Sequence, residues 1–394
     1  MGGTANGGAS RLEEIKELSA NEFVRYSRHL IMPEVGLAGQ RKLKDSSVLV
    51  VGAGGLGNPV AIYLAAAGVG RIGIVDFDII EESNLQRQVL YRHRDIGKSK
   101  AEVTKERLLE HNPDIRVDVH NLHLNSSNAS RIIGDYDIVV DGTDNFPTRY
   151  LLNDACVLNE KPYIYGSIFR FDGQVAVFDA RRGPCYRCLF PRPPPPESVP
   201  SCAEGGVLGV LPGIIGCIQA EEAIKLVLGK GEPLIGKLLL FEALTLNFVQ
   251  LTIASNPKCE LCGENQTITE LMDYESFCGV VATPDSERVI TPNGLMNHIR
   301  SGKKFVLLDV REQFEHDAYS IKGSKLIPLS ELGYRAGELD SADEIVVYCH
   351  SGVRSAKAVE LLSSMGFRKL RSLKGGVLGW AAAQSESITW GHST

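Results

Sequence analysis

Two consecutive α/β units are what the sequence predicts, on three observations. Strand-like apolar runs alternate with helix-like runs from Val48 to Asn145, a G-x-G-x-x-G turn follows the first of those strands, and after a polar stretch the alternation resumes near Ile290. Such alternation implies a largely parallel sheet with helices on both faces. At 394 residues and roughly 150 residues per domain, two to three domains fit the length.

The elements run in order along the chain. Residues 1–21 read as a Gly-rich tail with no apolar signal core, and Asn6 stands where a myristoylation signal needs Ser or Thr. Residues 22–43 read as a helix, a short loop and a second helical start. KDSSVLVVGAGGLG is a strand running into a glycine turn, and NPVAIYLAAAGV is an apolar helix with Pro59 in its first turn, where proline is tolerated. RIGIVDFD, IRVDVHNLHL and YDIVVDGTDN are further strands, with the amphipathic SKAEVTKERLLEHN between the first two. The Pro-rich stretch 191–201 suits neither helix nor central strand. Helix returns over 213–229 and strands over 236–253. Residues 269–289 are polar and read as a linker. The second unit, 290–385, carries strands FVLLDVRE, EIVVYC and KLRSL and the helix SAKAVELLSSMGF, and 386–394 reads as a tail.

Composition excludes some classes. A net charge of −6 argues against a general nucleic-acid binder, which needs a basic stripe. The most apolar stretch, Gly205 to Ile218, is interrupted by Pro212 and shorter than the roughly 20 residues a membrane span needs. The expectation is a cytosolic protein. Its nine cysteines should then be metal ligands, catalytic thiols or buried packing, not disulfides.

Gly52, Gly54 and Gly57 let backbone approach phosphates at a helix N-terminus, and Asp76 ends the next strand where it can reach ribose hydroxyls. Alone, this pattern also describes an NAD-dependent oxidoreductase. Arg87, Lys98, Lys100 and Asp144 shift the balance, because a triphosphate needs cations on its outer phosphates and a carboxylate for Mg²⁺. Cys185-x-x-Cys188 and Cys259-x-x-Cys262 form a pair of pairs that suits a closed, structural Zn²⁺ site better than a redox motif. Cys202 lies on a loop after the Pro-rich stretch. Cys349 ends an apolar strand and opens CHSGVRS before a helix, a geometry that aims backbone N–H groups at the sulfur and favours its anionic form, with Arg354 adding a cation.

The set GAGGLG, VDFD, SNLQRQ, GKSKA, DGTDN, CYRC and CELC resembles the ThiF/MoeB/ubiquitin-activating adenylyltransferase family, from about Phe23 to Gln266. That resemblance implies a Rossmann-like adenylation domain over 22–268. Gly55 and Asp76 would hold ATP, Asn84, Arg87 and Lys100 would surround the phosphates, Asp144 would sit on the magnesium, and Ser83, Leu85, Gln86 and Asn145 would complete the cofactor-binding set. It also implies a homodimer in which Arg28, from RYSRH, reaches the partner's ATP site, one Zn²⁺ per subunit, and a ubiquitin-like sulfur carrier as substrate. LLDVREQFEHDAYSIKGSKLIPLSEL, Cys349 with C-x₄-R spacing, and GG-x-x-x-W resemble a rhodanese domain. The order of these parts resembles the eukaryotic molybdopterin-synthase sulfurylase family, a MoeB–rhodanese fusion. Its members place a functional cysteine in the C-A-E-x-G context of Cys202, take sulfur from a cysteine desulfurase, and serve molybdenum cofactor synthesis or tRNA thiolation through the small subunit of molybdopterin synthase or a ubiquitin-related modifier. A non-catalytic scaffold for ubiquitin-like proteins is the alternative from another class.

Overall fold

The structure is a computed structural model and describes residues 17–194, 206–278 and 288–389. Two units divide the chain at Val280 and Val281.

The first unit is built on an 8-stranded sheet of order β3-β2-β1-β4-β5-β6-β7-β8. The strands are β1 Ser47–Val51, β2 Arg71–Val75, β3 Arg116–His120, β4 Ile138–Asp141, β5 Tyr163–Phe169, β6 Asp172–Phe178, β7 Lys237–Glu242 and β8 Asn247–Thr252. β3 to β5 in that order pair in parallel, and β6 to β8 continue antiparallel. Val48, Leu49 and Val50 on β1 are fully buried, as a central strand covered on both faces must be. The helices Gly57–Ala67 and Leu211–Leu228 pack over one face, and Ala129–Gly134 and Phe146–Leu158 over the other.

Register sets the site. Val51 of β1 pairs with Val75 of β2 and with Asp141 of β4, so three strands end together at one edge. The chain leaves β1 for β2 on one side and later places β4 on the other. That reversal opens a crevice at the carboxyl ends of the strands, the usual ligand position in such sheets.

The second unit has a 5-stranded parallel sheet of order β11-β10-β12-β13-β9. Its strands are β9 Val289–Ile290, β10 Val306–Asp309, β11 Lys325–Leu326, β12 Ile345–Tyr348 and β13 Leu370–Leu373. β12 is buried throughout, and Cys349 follows it directly.

Three boundaries differ from the sequence reading. Ser19 caps the helix Ala20–Arg25 in a reciprocal box with Glu22, and Leu18 is buried, so structure begins within the expected tail. The expected linker starts later than its polarity suggests. Residues Tyr274–Phe277 form a short helix, and Tyr274 and Cys278 are buried in the first unit's core. The reason is tertiary: the Tyr274 hydroxyl donates to Asp154 at 2.8 Å. The last helix, Gly376–Thr389, runs past 385.

Candidate functional site

The crevice is a cleft of about 600 Å³. Its floor is the glycine turn. Gly52 has φ +89°, and a Cβ there would press on the Gly142 carbonyl, while one at Gly57 would land on the Gly52 carbonyl oxygen. Those two glycines are demanded by the fold. At Gly54 a Cβ would meet only the Gln88 amide at 3.7 Å, so the fold itself leaves that position free. A ligand approaching the backbone would account for glycine there.

Asp76 is buried beside the turn, accepting from the amides of Ala53 at 2.7 Å and Asp78 at 2.8 Å. Burial pushes its carboxyl above the usual carboxylate range, against those two hydrogen bonds and the nearby Lys100 charge. Gly55, Asn84, Arg87, Lys100, Asp144 and Asn145 also line the cleft. The Lys100 ammonium is held by Asp78 at 2.7 Å, so a phosphate would have to share it. Arg87 donates from Nη1 to the Ser83 carbonyl at 3.0 Å. Asn145 is the N-cap of the helix Phe146–Leu158, accepting from the Thr148 amide at 2.9 Å. Asp144 is exposed on the loop before it.

Five expected residues lie outside this cleft, among them Lys98, which pairs with Asp95 at 3.2 Å. Ser83 is exposed, with its hydroxyl toward Glu81. Leu85 packs against the cluster of Ile80, Tyr91 and Val103. Gln86 lies against Gly209. In the short 3₁₀ turn Glu82–Asn84 and the residues just after it, only some side chains can face the ligand, and these three face elsewhere. Arg28 is exposed on the helix Ser27–Leu30 and does not line the cleft of its own chain. Cys202 lies outside the described residues.

The four cysteines of the paired motifs meet. Their sulfurs all lie within 4.8 Å of one another, with separations of 3.9, 3.6 and 3.4 Å for Cys185–Cys188, Cys185–Cys259 and Cys188–Cys262. A tetrahedron with metal–sulfur distances of about 2.3 Å has edges of about 3.8 Å. The set therefore fits a tetrahedral thiophilic ion such as Zn²⁺. Arg187, between Cys185 and Cys188, forms a two-pronged pair with Asp154 at 2.8 and 2.7 Å, both side chains buried. This pair ties the first knuckle to the helix whose N-terminus lines the cleft. Cys156 is buried packing.

In the second unit Cys349 is buried, and its Sγ accepts from the Gly352 amide at 3.1 Å and lies 3.6 Å from the Ser355 hydroxyl. Gly352 has φ +105°, which lets the chain turn back over the sulfur before the helix Val353–Ser364. The expected cation, Arg354, forms two 2.7 Å bonds with Glu315. Its guanidinium therefore braces the loop, and the Gly352 backbone amide donates the hydrogen bond to sulfur. Burial pushes the His350 imidazole down, toward its neutral form. Behind the loop, Asp309 binds Arg311 and His316 at 2.7 and 2.9 Å. Glu315, Ser355 and this triad had no signal beyond the DVRE run itself.

Comparison with known proteins agrees with both units. Residues 26–261 match the ThiF family and residues 291–383 the rhodanese-like domain. A probable adenylyltransferase/sulfurtransferase, MoeZ of Mycobacterium tuberculosis, is 48% identical over 94% of this chain and 95% of its own. The adenylyltransferase and sulfurtransferase MOCS3-1 of Zea mays is 44% identical over 92% of this chain and 82% of its own. A sulfur carrier protein adenylyltransferase of Thermus thermophilus is 56% identical over 66% of this chain and 97% of its own. Among solved structures, E. coli MccB with MccA-N7isoASN superposes with a TM-score of 0.54 at 26% identity, covering 61% of this chain and 75% of that one. Among the described residues no helix is long and apolar enough to cross a membrane. The chain thus belongs to the ThiF family, in the branch where the adenylyltransferase domain is followed by a rhodanese-like sulfurtransferase domain.

Proposed function

We propose that the chain uses ATP to adenylate the C-terminal glycine carboxylate of a ubiquitin-like sulfur carrier and then replaces one of its oxygens with sulfur carried on Cys349. The observation that carries this reading is the pairing, in one chain, of a crevice with a ligand-sized glycine floor and a buried thiol under a backbone amide. Asp76 would hold the ribose, and Asn84, Arg87 and Lys100 the phosphates. Magnesium bound with ATP would neutralise phosphate charge beside Asp144, which is exposed at the cleft.

In the first step a carboxylate oxygen attacks the α-phosphorus and pyrophosphate leaves. In the second the outer sulfur of a Cys349 persulfide, charged by a cysteine desulfurase, attacks the acyl carbon and AMP leaves. The resulting acyl disulfide is opened by the Cys202 thiolate, which releases the thiocarboxylate and leaves a disulfide between Cys202 and Cys349 for an external thiol to reduce. Fusion keeps the persulfide at high effective concentration near the short-lived adenylate. The four-cysteine cluster would hold a structural Zn²⁺, and a homodimer would bring Arg28 to the partner's cleft. Molybdenum cofactor synthesis and tRNA thiolation, in the cytosol, are the pathways such a product feeds. The similarity to MoeZ, MOCS3 and the Thermus sulfur carrier protein adenylyltransferase supports this reading.

The test is ATP–pyrophosphate exchange. Exchange that requires a carrier ending in a Gly-Gly carboxylate supports adenylation. Nicotinamide binding without pyrophosphate release would favour an oxidoreductase, and carrier binding without exchange would favour a scaffold.

A further inference from the structure

Arg149 has no part in the proposed reaction so far, and its surroundings are unlike those of the other buried arginines. Among the described residues four arginines are buried: Arg107, Arg149, Arg187 and Arg311. Three of them have a buried carboxylate at 2.7 to 2.8 Å, namely Asp95, Asp154 and Asp309. Arg149 has none. It is 7% exposed, sits in the first turns of the helix Phe146–Leu158 and lines the cleft.

Its five N–H donors find little. Nη2 reaches the Thr143 carbonyl at 3.5 Å, and Nε is buried with no partner. The guanidinium carbon stands 5.5 Å from the ring centres of Phe146 and of Tyr165. Asp141 is the carboxylate whose field reaches it, but the Asp141 oxygens already accept from the Thr143 amide and hydroxyl and from the Tyr163 hydroxyl. A buried cation with no bound anion is costly, and this one borders a ligand cleft. The missing anion should come from the ligand.

Sheet order says which anion. Asp76 follows β2, the glycine turn follows β1, Thr143 follows β4, and Tyr165 is on β5. From β2 to β5 is three strand spacings, about 14 Å. Arg149 therefore lies at the end of the cleft away from the ribose side, next to the loop of Asp144. Resting on the adenylation reading, we infer that Arg149 binds the anionic oxygens where the carrier's terminal carboxylate meets the α-phosphate of ATP. There a carboxylate oxygen attacks the α-phosphorus while the bond to the α–β bridging oxygen breaks, and pyrophosphate leaves with that electron pair. Arg149 donates N–H bonds to the negative oxygens throughout and transfers no proton.

The test uses the full chain, Arg149→Met and Arg149→Lys, ATP, and a ubiquitin-like carrier ending in Gly-Gly. The Met variant should lose carrier-dependent exchange by about 10- to 100-fold, the range of a hydrogen bond to a charged group, and the Lys variant should lose less. A raised KM for carrier with unchanged ATP binding assigns the carboxylate, and weakened ATP binding assigns the α-phosphate. The unfolding temperature of the Met variant should fall somewhat, because the buried Asp141 carboxylate loses the cation whose field offsets its burial, so exchange is compared per folded molecule. Persulfide formation on Cys349 should be unchanged. A lowered unfolding temperature with exchange per folded molecule intact would make Arg149 structural and overturn the inference, as would full exchange in Arg149→Met. No exchange in the wild type would overturn the adenylation reading and this inference with it.

Discussion

Replacing Asp154 with Ala should unfold the first unit far below the temperature of the wild type while sparing the second. Asp154 is fully buried, and both its oxygens are engaged: Oδ1 by Arg187 Nε at 2.8 Å, Oδ2 by Arg187 Nη2 at 2.7 Å and the Tyr274 hydroxyl at 2.8 Å. Arg187 is itself 2% exposed and stacked under Tyr150 and Phe277, so once its partner is gone it cannot reach water. Removing one member of such a pair costs about 3–5 kcal/mol, chiefly for the charge left behind. At about 2–4 °C per kcal/mol for a unit of this size, the transition should fall by roughly 6–20 °C. Calorimetry of the full chain reads this directly, because the rhodanese unit supplies a second transition as an internal standard. Combining Asp154→Leu with Arg187→Met, which removes both charges and keeps volume, should restore most of the loss. A first transition that moves by less than about 2 °C, or two transitions that fall together, would mean that the Asp154–Arg187 pair does not hold the first unit.

Asp144→Ala should abolish carrier-dependent ATP–pyrophosphate exchange and leave sulfur transfer from thiosulfate intact, and Cys349→Ala should do the reverse; loss of both activities in either folded variant would contradict the division of labour. Cys259→Ser should lower zinc content and first-unit stability together, since a closed four-sulfur site contributes folding energy, and metal analysis of wild type with no zinc would refute the assignment. Acid should weaken the first unit through Asp95. Burial works to raise that carboxyl, but hydrogen bonds from Arg107, the Arg92 amide and Lys98 outweigh it and bring it down to about 2. Its contribution is therefore complete above its unfolded value of about 4 and is lost as pH falls toward 2. Asp95→Asn should flatten stability across that window, and an unchanged acid limb would refute the claim.

The parts of the site that lie close in sequence are legible there. The glycine turn, Asp76, the 141–145 loop and the Cys349 loop each sit in a strand–turn–helix passage, where local pattern and local structure coincide. The two cysteine pairs are legible because metal-ligand spacing is itself local, though 74 residues separate their contacting sulfurs. The features that escape a sequence reading depend on distant partners. Tyr274 joins the first unit through Asp154, 120 residues away, so a polar stretch that reads as linker is core. Arg354 is turned toward Glu315, 39 residues upstream, and no loop motif announces that pairing. The SNLQRQ run shows the opposite error: a contiguous motif suggests contiguous contact, yet in its turn Asn84 and Arg87 line the cleft and Ser83, Leu85 and Gln86 do not. Arg149 carries no sequence signal, because a buried arginine becomes conspicuous only when its lack of a carboxylate can be seen.

The central claim is that one chain both activates a carrier carboxylate and delivers sulfur to it. Intact-mass spectrometry of a Gly-Gly-ended carrier, incubated with the full chain, ATP, magnesium, thiosulfate and a thiol reductant, tests it most directly. The carrier should gain the mass difference of one oxygen replaced by sulfur, located at its terminal carboxyl, and only when ATP and an intact Cys349 are both present. A carrier that stays unmodified under these conditions, or gains sulfur without ATP, would mean that this chain does not couple adenylation to sulfur transfer.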